Sequence, residues 1–377
     1  MTALINDNKI IGPGRKNAVP KGRPGKARRI WVRLHRWLSI GAAAFWMLQA
    51  ITGILLGFHW EIQDAMLGMA HKPTDFLAME RQLDALAPVG TGARINSIYT
   101  TAGLPDRYEI NMVSADSTPR LIHIDGVGHP LRDRPASEPT FLGLMLRLHV
   151  DLMSGATGQW IMAISGILLI TNLIMGLILA WPRRGWWRQA ITPARKGPLT
   201  ARIFTWHRAI GLWAVIPALV VVTSGTLMLF HHGVATLLDA EKIRLPANPP
   251  QDNDIGFAAA ARAAERAISQ GKLASMVMPD KGDASYYIRI RAAGDLCRAY
   301  GSSLVIIDAN DGRIRSAYPM AQAHMGRKIL GAFYPVHTGE AGGLIGRILV
   351  LGTGLWLLTM LVLGIWLWLR KRRKPAR

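Results

Sequence analysis

Among 377 residues there is one cysteine, Cys297. A lone thiol closes no internal disulfide, holds no iron–sulfur cluster and builds no cysteine-rich zinc site. The Cys-x-x-Cys-His motif of covalent haem attachment is missing, so any haem here is held non-covalently. Also missing is a Gly-x-Gly-x-x-Gly fingerprint followed by an acidic residue, which excludes a flavin or nicotinamide domain of that type and makes any electron donor a separate molecule. Acid is scarce in three segments. Residues 1–36, 182–202 and 370–377 hold 22 of the 45 Lys and Arg but only Asp7 of the 24 acids, so the rest of the chain is balanced at 23 against 23. Charge is absent altogether from four runs, 37–60, 152–182, 209–238 and 348–369.

Each of those runs exceeds the roughly 18 apolar residues that a spanning helix requires, which predicts a four-span membrane protein. None sits where a cleavable signal peptide would, so the first helix is expected to act as an uncleaved signal. Because the excess of +21 lies entirely in the three basic segments, the positive-inside rule places the N-terminus, the middle loop and the C-terminus in the cytoplasm. Residues 61–148 and 239–336 then face outward. The same rule accounts for the net charge without nucleic acid: beside the basic runs stand only the interfacial Trp181, Trp186 and Trp187, and no base-reading or stacking motif.

Histidines punctuate the apolar runs. Twenty-four residues separate His35 from His59, and twenty-four separate His207 from His231. At about 1.5 Å per residue that interval covers about 36 Å, slightly more than the hydrocarbon core, so each helix carries an imidazole at both faces. Titratable groups near bilayer depth are costly unless paired or ligating, and haem ligation is the chemistry these positions suggest. The repetition goes further. His149 and His337 lead into the second and fourth spans, and from each of them glycines recur at equal offsets, Gly158, Gly166 and Gly176 against Gly346, Gly354 and Gly364. Gly53 and Gly225 stand six residues before His59 and His231. Small residues at helical spacing allow close helix packing or make room for a flat macrocycle.

The outward segments repeat as well. Helix-like stretches at 75–86 and 255–269 precede alternating strands, and LIHIDGVG at 121–128 matches LVIIDANDG at 304–312, each a strand ending in an Asp and a turn. The predicted fold is a membrane protein of four transmembrane α-helices in two duplicated halves, with two small α+β periplasmic domains. Its parts are a disordered basic tail (1–30), helix 1 (31–60), a periplasmic domain (61–140), helix 2 with its lead-in (141–181), a basic loop (182–202), helix 3 (203–237), a second periplasmic domain (238–326), helix 4 with its lead-in (327–370) and a cytoplasmic tail (371–377).

A histidine-bearing span, a helix-plus-strands module with a strand-Asp-turn-strand hairpin, and a second histidine-led span, all duplicated, resemble the PepSY-associated transmembrane proteins of bacterial inner membranes. The resemblance runs from Ile30 onward and is greatest to that family's siderophore-linked ferric reductases. It implies PepSY-like outer domains, two b-type haems, and reduction of a periplasmic ferric siderophore, of hydroxamate type among others, with electrons from quinol or a cytoplasmic reductase.

Depth and symmetry suggest the ligands. His35 and His207 are the only histidines near the cytoplasmic face, so a haem there takes both, with Arg33, Arg36 and Arg208 near its propionates or the lipid headgroups. The outer face offers His59, His149, His231, His232 and His337. The pair His149 and His337 is preferred because its flanking sequences lead into glycine-rich turns; His59 and His231 form the alternative pair, for propionates, proton transfer or a third haem. Two haems would divide about 30 Å of hydrocarbon into shorter electron transfers. Tyr286, Tyr287, Arg289, Arg291 and Tyr318 are expected to line a cleft between the outer domains, or else to be ordinary strand residues, and His123 and His324 are further candidates for substrate contact. His71 and His129 read as solvated or structural. Other readings stay open: a membrane-anchored binding or regulatory protein of PepSY type, a metal chaperone using the outer histidines without porphyrin, or a siderophore transporter. For the last, the span interiors offer Gln49, Asn172, Thr223 and Ser224 but no acid or base.

Overall fold

The computed structural model describes residues 25–68, 71–101, 104, 106–240, 245–251, 253–297 and 299–372. The tail expected over 1–30 lies largely outside these residues, as do 373–377; from Lys26 the chain is already helical.

The membrane layer begins with α1 (Lys26–Gly41) and α2 (Ala43–Leu56), which meet at a 62° bend. The first apolar run is therefore broken where the sequence suggested one straight helix, next to Gly41, whose helix propensity is about 1 kcal/mol poorer than that of alanine. A short α3 (His59–Leu67) continues outward. After the first strand set come α5 (Phe141–Val150) and α6 (Gly155–Ala180), then α7 (Trp187–Ile191), the long α8 (Leu199–Leu229), which runs through Pro217, and α9 (His231–Leu237). The second strand set is followed by α11 (Met325–Thr338) and α12 (Gly343–Arg372). Three segments, Gly155–Ala180, Leu199–Leu229 and Glu340–Arg372, are long and apolar enough to cross a membrane, and the bent α1–α2 pair makes a fourth if taken as one span. Their outer surfaces carry exposed Trp160, Ile164, Ile216, Leu349 and Val362, as helices solvated by lipid require.

Packing within this layer is paired. The α2 helix lies against α5 and α12, α8 lies against α11 and α6, α1 against α6, and α12 against α8. A core of Trp46, Leu169, Leu173, Val215, Ala218, Trp356 and Leu361 fills the middle. His149 and His337 do not open the long spans. Each sits in the last turn of a separate short helix, α5 or α11, and the chain then reverses before the span begins. The first reversal has Leu152 and Met153 at φ +52° and +59°, which strains bulky side chains; the second uses Gly339 at φ +82°, where no Cβ is present to clash.

Outside the bundle stand α4 (Phe76–Leu86), α10 (Phe257–Ala267) and eight strands: β1 (Arg94–Thr100), β2 (Arg107–Val113), β3 (Pro119–Asp125), β4 (Pro130–Pro135), β5 (Lys272–Val277), β6 (Ser285–Arg291), β7 (Ser303–Asp308) and β8 (Ile314–Tyr318). Two separate small domains were expected; the structure has one antiparallel sheet, ordered β4-β3-β2-β1-β5-β6-β7-β8. The join is β1 against β5, with Ser97 opposite Val277, Ile98 opposite Met276 and Tyr99 opposite Ser275. Neither four-stranded set has a free inner edge in this arrangement, and both share one hydrophobic core under α4 and α10. Ile98 and Met276 are fully buried at the junction, each contributing about 1.5–3 kcal/mol relative to exposure. Asp75 caps α4 by accepting the Leu77 and Ala78 amides, and the alanine-rich face of α10 lets that helix approach the sheet closely. The Asp-turn hairpins form as read: Asp125 accepts the Val127 and His129 amides, and Asp308 accepts the Asn310 amide.

Candidate functional site

Two pairs of imidazoles come together, one at each end of the bundle. At the basic end the rings of His35 and His207 have centroids 6.5 Å apart; at the end beneath the sheet those of His149 and His337 lie 6.1 Å apart. A metal–imidazole bond of about 2.0 Å plus about 1.1 Å from nitrogen to ring centre separates two trans imidazoles by roughly 6.2 Å. Both ring separations are close to that value.

Hydrogen bonds settle which nitrogen is left for that task. The His35 Nδ1–H donates to the Asn172 carbonyl at 3.2 Å and the His337 Nδ1–H to the Val221 carbonyl at 2.9 Å. His149 Nδ1 meets Thr52 Oγ1 at 3.0 Å, and Thr52 gives its own proton to the Leu48 carbonyl. In all three rings Nδ1 is the donor, so Nε2 keeps its lone pair and the ring is fixed in orientation, as metal-bound histidines generally are. His207 Nδ1 is buried with no partner.

Each imidazole packs on a glycine. A Cβ built on Gly176 would lie 3.2 Å from His35, on Gly53 3.1 Å from His149, on Gly225 2.5 Å from His337 and on Gly364 3.6 Å from His207. These are matching positions of the repeat read in the sequence. The other glycines of the series serve packing: a side chain on Gly166 would strike Thr226 and one on Gly354 would strike Ile54, while Gly158 and Gly346 sit tightly against the Asp151 and Gly339 carbonyls in the reversals. The glycine-rich turns therefore close the chain reversal, where sequence suggested room for a macrocycle edge.

Around His35 and His207 lies a cavity of about 380 Å³ whose rim carries Arg28, Arg36, Arg208 and Lys371. Of the arginines named from the sequence, Arg36 and Arg208 line this cavity and Arg33 does not. Trp46 and Trp356 form its inner wall, with their indole N–H groups on Ser165 Oγ and the Ile210 carbonyl.

The remaining histidines are placed differently. His59 Nδ1 donates to the Leu56 carbonyl at 2.6 Å and its ring leans on Trp60, and His231 stands beside His232. His123 is buried between Glu109 and Gln63, His71 bridges Asp64 and Asp106, and His324 precedes α11. Tyr286 is buried in the sheet core with its hydroxyl on Asp254, and the two strand sets it was expected to lie between form one continuous sheet. Cys297 is buried, and desolvation pushes its thiol up to about 11, well away from reactivity.

Sequence reasoning passed over Thr52, Trp46, Trp356 and Arg347. Thr52 had a signal, a hydroxyl in an apolar run one residue before a repeated glycine. Arg347 reaches from α12 to the end of α2, where it forms a two-pronged ion pair with Glu61 (2.5 and 2.7 Å), donates to the Gly57 carbonyl at 2.9 Å and lies over the Phe58 and Trp60 rings.

Among the described residues no cluster of three or more His, Cys, Asp or Glu side chains is arranged to hold a metal ion. Two-imidazole sites suit a metal that brings its own equatorial ligands, and a porphyrin does so. The site and fold define a class: an apolar helical bundle with a paired-imidazole site at each end and an antiparallel sheet over one of them. The family described as the PepSY-associated TM region matches residues 13–371, and the chain belongs to it. No curated protein matches the chain.

Proposed function

We propose that the chain is a di-haem b reductase of the bacterial inner membrane, taking electrons from quinol or a cytoplasmic reductase and reducing a ferric siderophore in the periplasm. The observation that carries this reading is the duplicated imidazole pair, with ring centroids 6.5 and 6.1 Å apart and each ring packed on a glycine. Further support comes from the resemblance to siderophore-linked reductases of the same family and from the basic rim at the His35 end, which favours a cytoplasmic location. The sheet would then stand in the periplasm.

When bound, haem would supply one-electron transfer at each pair. The protein's part is positional. His35 with His207, and His149 with His337, would hold the two groups; the Asn172 and Val221 carbonyls and the Thr52 hydroxyl orient the rings. Arg36 and Arg208 offer charge to carboxylates at the basic end. Apolar neighbours such as Leu173, Val215 and Leu361 exclude water from the interior. As for the substrate, one added electron turns ferric into ferrous iron, a softer and less charged ion that hard oxygen donors hold less well, so the chelate releases it.

The test is an optical spectrum of detergent-purified protein before and after dithionite. Paired Soret and α-band changes are expected, with about half the haem lost in His207→Ala and again in His337→Ala. A folded, colourless protein that takes up no added hemin would overturn the reading in favour of a binding or regulatory role.

A further inference from the structure

Instead of continuing α2 in a straight line, α1 meets it at 62° and packs on α6 and α12. Residues 43–60 alone give eighteen positions without charge, enough to cross the hydrocarbon, so α1 is not needed to complete that crossing. Sixteen residues long, it reaches about 24 Å across the basic end of the bundle.

Its side chains sort onto three faces, as 3.6 residues per turn dictates. Arg28, Val32, His35 and Ser39 share the face that lines the His35–His207 cavity, where Asn172 accepts from His35 and donates to Ser39. Ile30, Leu34 and Trp37 follow at i, i+4 and i+7 on a second face, and at 57, 53 and 49 % exposed they are not covered by the bundle. Lys26, Arg29, Arg33 and Arg36 form the third face, beside the apolar one, and all four are exposed.

The charge of that third face is uncompensated. Residues 26–60, 152–238 and 341–372, which supply α1, α2, α6 to α9 and α12, contain no Asp or Glu. Orientation by positive charge asks only for a number of cations; here they are gathered on one side of one helix, which a number does not require. An uncovered apolar stripe flanked by a cationic one is the pattern of a helix lying in a membrane interface, with its apolar side at the acyl boundary and its cations among headgroups. A soluble acidic partner would satisfy the cations and leave Ile30, Leu34 and Trp37 in water. A bilayer answers both faces at once.

We propose that α1 lies in the bilayer surface at the basic end of the bundle and binds anionic phospholipid headgroups through Lys26, Arg29, Arg33 and Arg36. This surface does not depend on haem. The test uses full-length protein with Leu34→Cys, labelled by a polarity-sensitive fluorophore and reconstituted in nanodiscs; Cys297, the other thiol, is buried. Brominated phosphatidylglycerol or brominated phosphatidylcholine is mixed in at equal mole fraction, and quenching of the label gives the relative affinity of each lipid for the helix. Phosphatidylglycerol is expected to show at least about threefold higher apparent affinity, a preference that shrinks as salt is raised. Lys26→Gln with Arg29→Gln and Arg33→Gln, all at exposed positions, should bring the two lipids to parity. Arg183→Gln with Arg184→Gln, which removes exposed cations off the helix, should keep the preference. Equal quenching by the two lipids in the parent overturns the proposal, as does a preference lost in the Arg183 and Arg184 variant and kept in the α1 variant. A label quenched by neither lipid also overturns it, since a second copy or another protein would then cover the face.

Discussion

Gly225 and Gly364 occupy matching places in the repeat and have unequal tolerances. A methyl group on Gly225 would stand 2.5 Å from the His337 ring, whereas one on Gly364 would make ordinary contact with His207 at 3.6 Å. His337 has nowhere to retreat, because its Nδ1 is tied to the Val221 carbonyl on the same helix, α8. Gly225→Ala should therefore displace the imidazole and cost about 1–3 kcal/mol as overpacking, while Gly364→Ala should stay near the parent. Thermal melting with haem content measured in parallel checks this, and equal behaviour of the two variants would refute the cradle.

At the scale of an element, the β3–β4 hairpin depends on Asp125, which accepts the Val127 and His129 amides and pairs with Lys72 at 3.0 Å. Burial alone pushes this carboxyl up, but the Lys72 ammonium and the two amides together outweigh it and hold it below the usual carboxylate range. The sign follows. A lowered folded-state pKa gives stabilisation that is complete above the unfolded value of 3.8 and is lost as the pH falls through the folded value. Asp125→Asn should lower stability by about 1 kcal/mol at neutral pH. It should also lose less further stability than the parent between pH 5 and about pH 3. Melting curves across that range decide it, and parallel acid limbs for parent and variant would count against the role. The α5–α6 and α11–α12 reversals are the other elements on which the site depends, since they turn the chain back just after His149 and His337.

For the whole molecule, the eight-stranded sheet makes the two outer strand sets interdependent. Residues 71–138 contain α4 and β1–β4, and in isolation they would expose the β1 edge and the Ile98 side chain that Met276 covers. Such a fragment should be unfolded or self-associate through β1, as unpaired apolar edges do. Light scattering and amide NMR on the purified fragment test this; a well-dispersed monomer would show that the first set is a domain after all.

Spans, repeat and ligand candidates were legible because each is written in local pattern: four charge-free runs, equal offsets from histidine to glycine, an Asp at the end of each central strand. Local pattern also named the imidazoles, His35 with His207 and His149 with His337, that now stand in pairs. It did not carry the bend at Ala42, the separate helices that deliver His149 and His337, or the choice of Thr52 as a ring partner, since these depend on how one helix lies against another. The single sheet was hidden for the same reason: the β1–β5 join links residues about 180 positions apart by backbone hydrogen bonds, which no side-chain period records. By itself the sequence determined which segments avoid water and which side chains can ligate. Only the tertiary structure decided which of them meet, because meeting depends on long-range packing, and packing joins surfaces that local hydrophobicity leaves interchangeable.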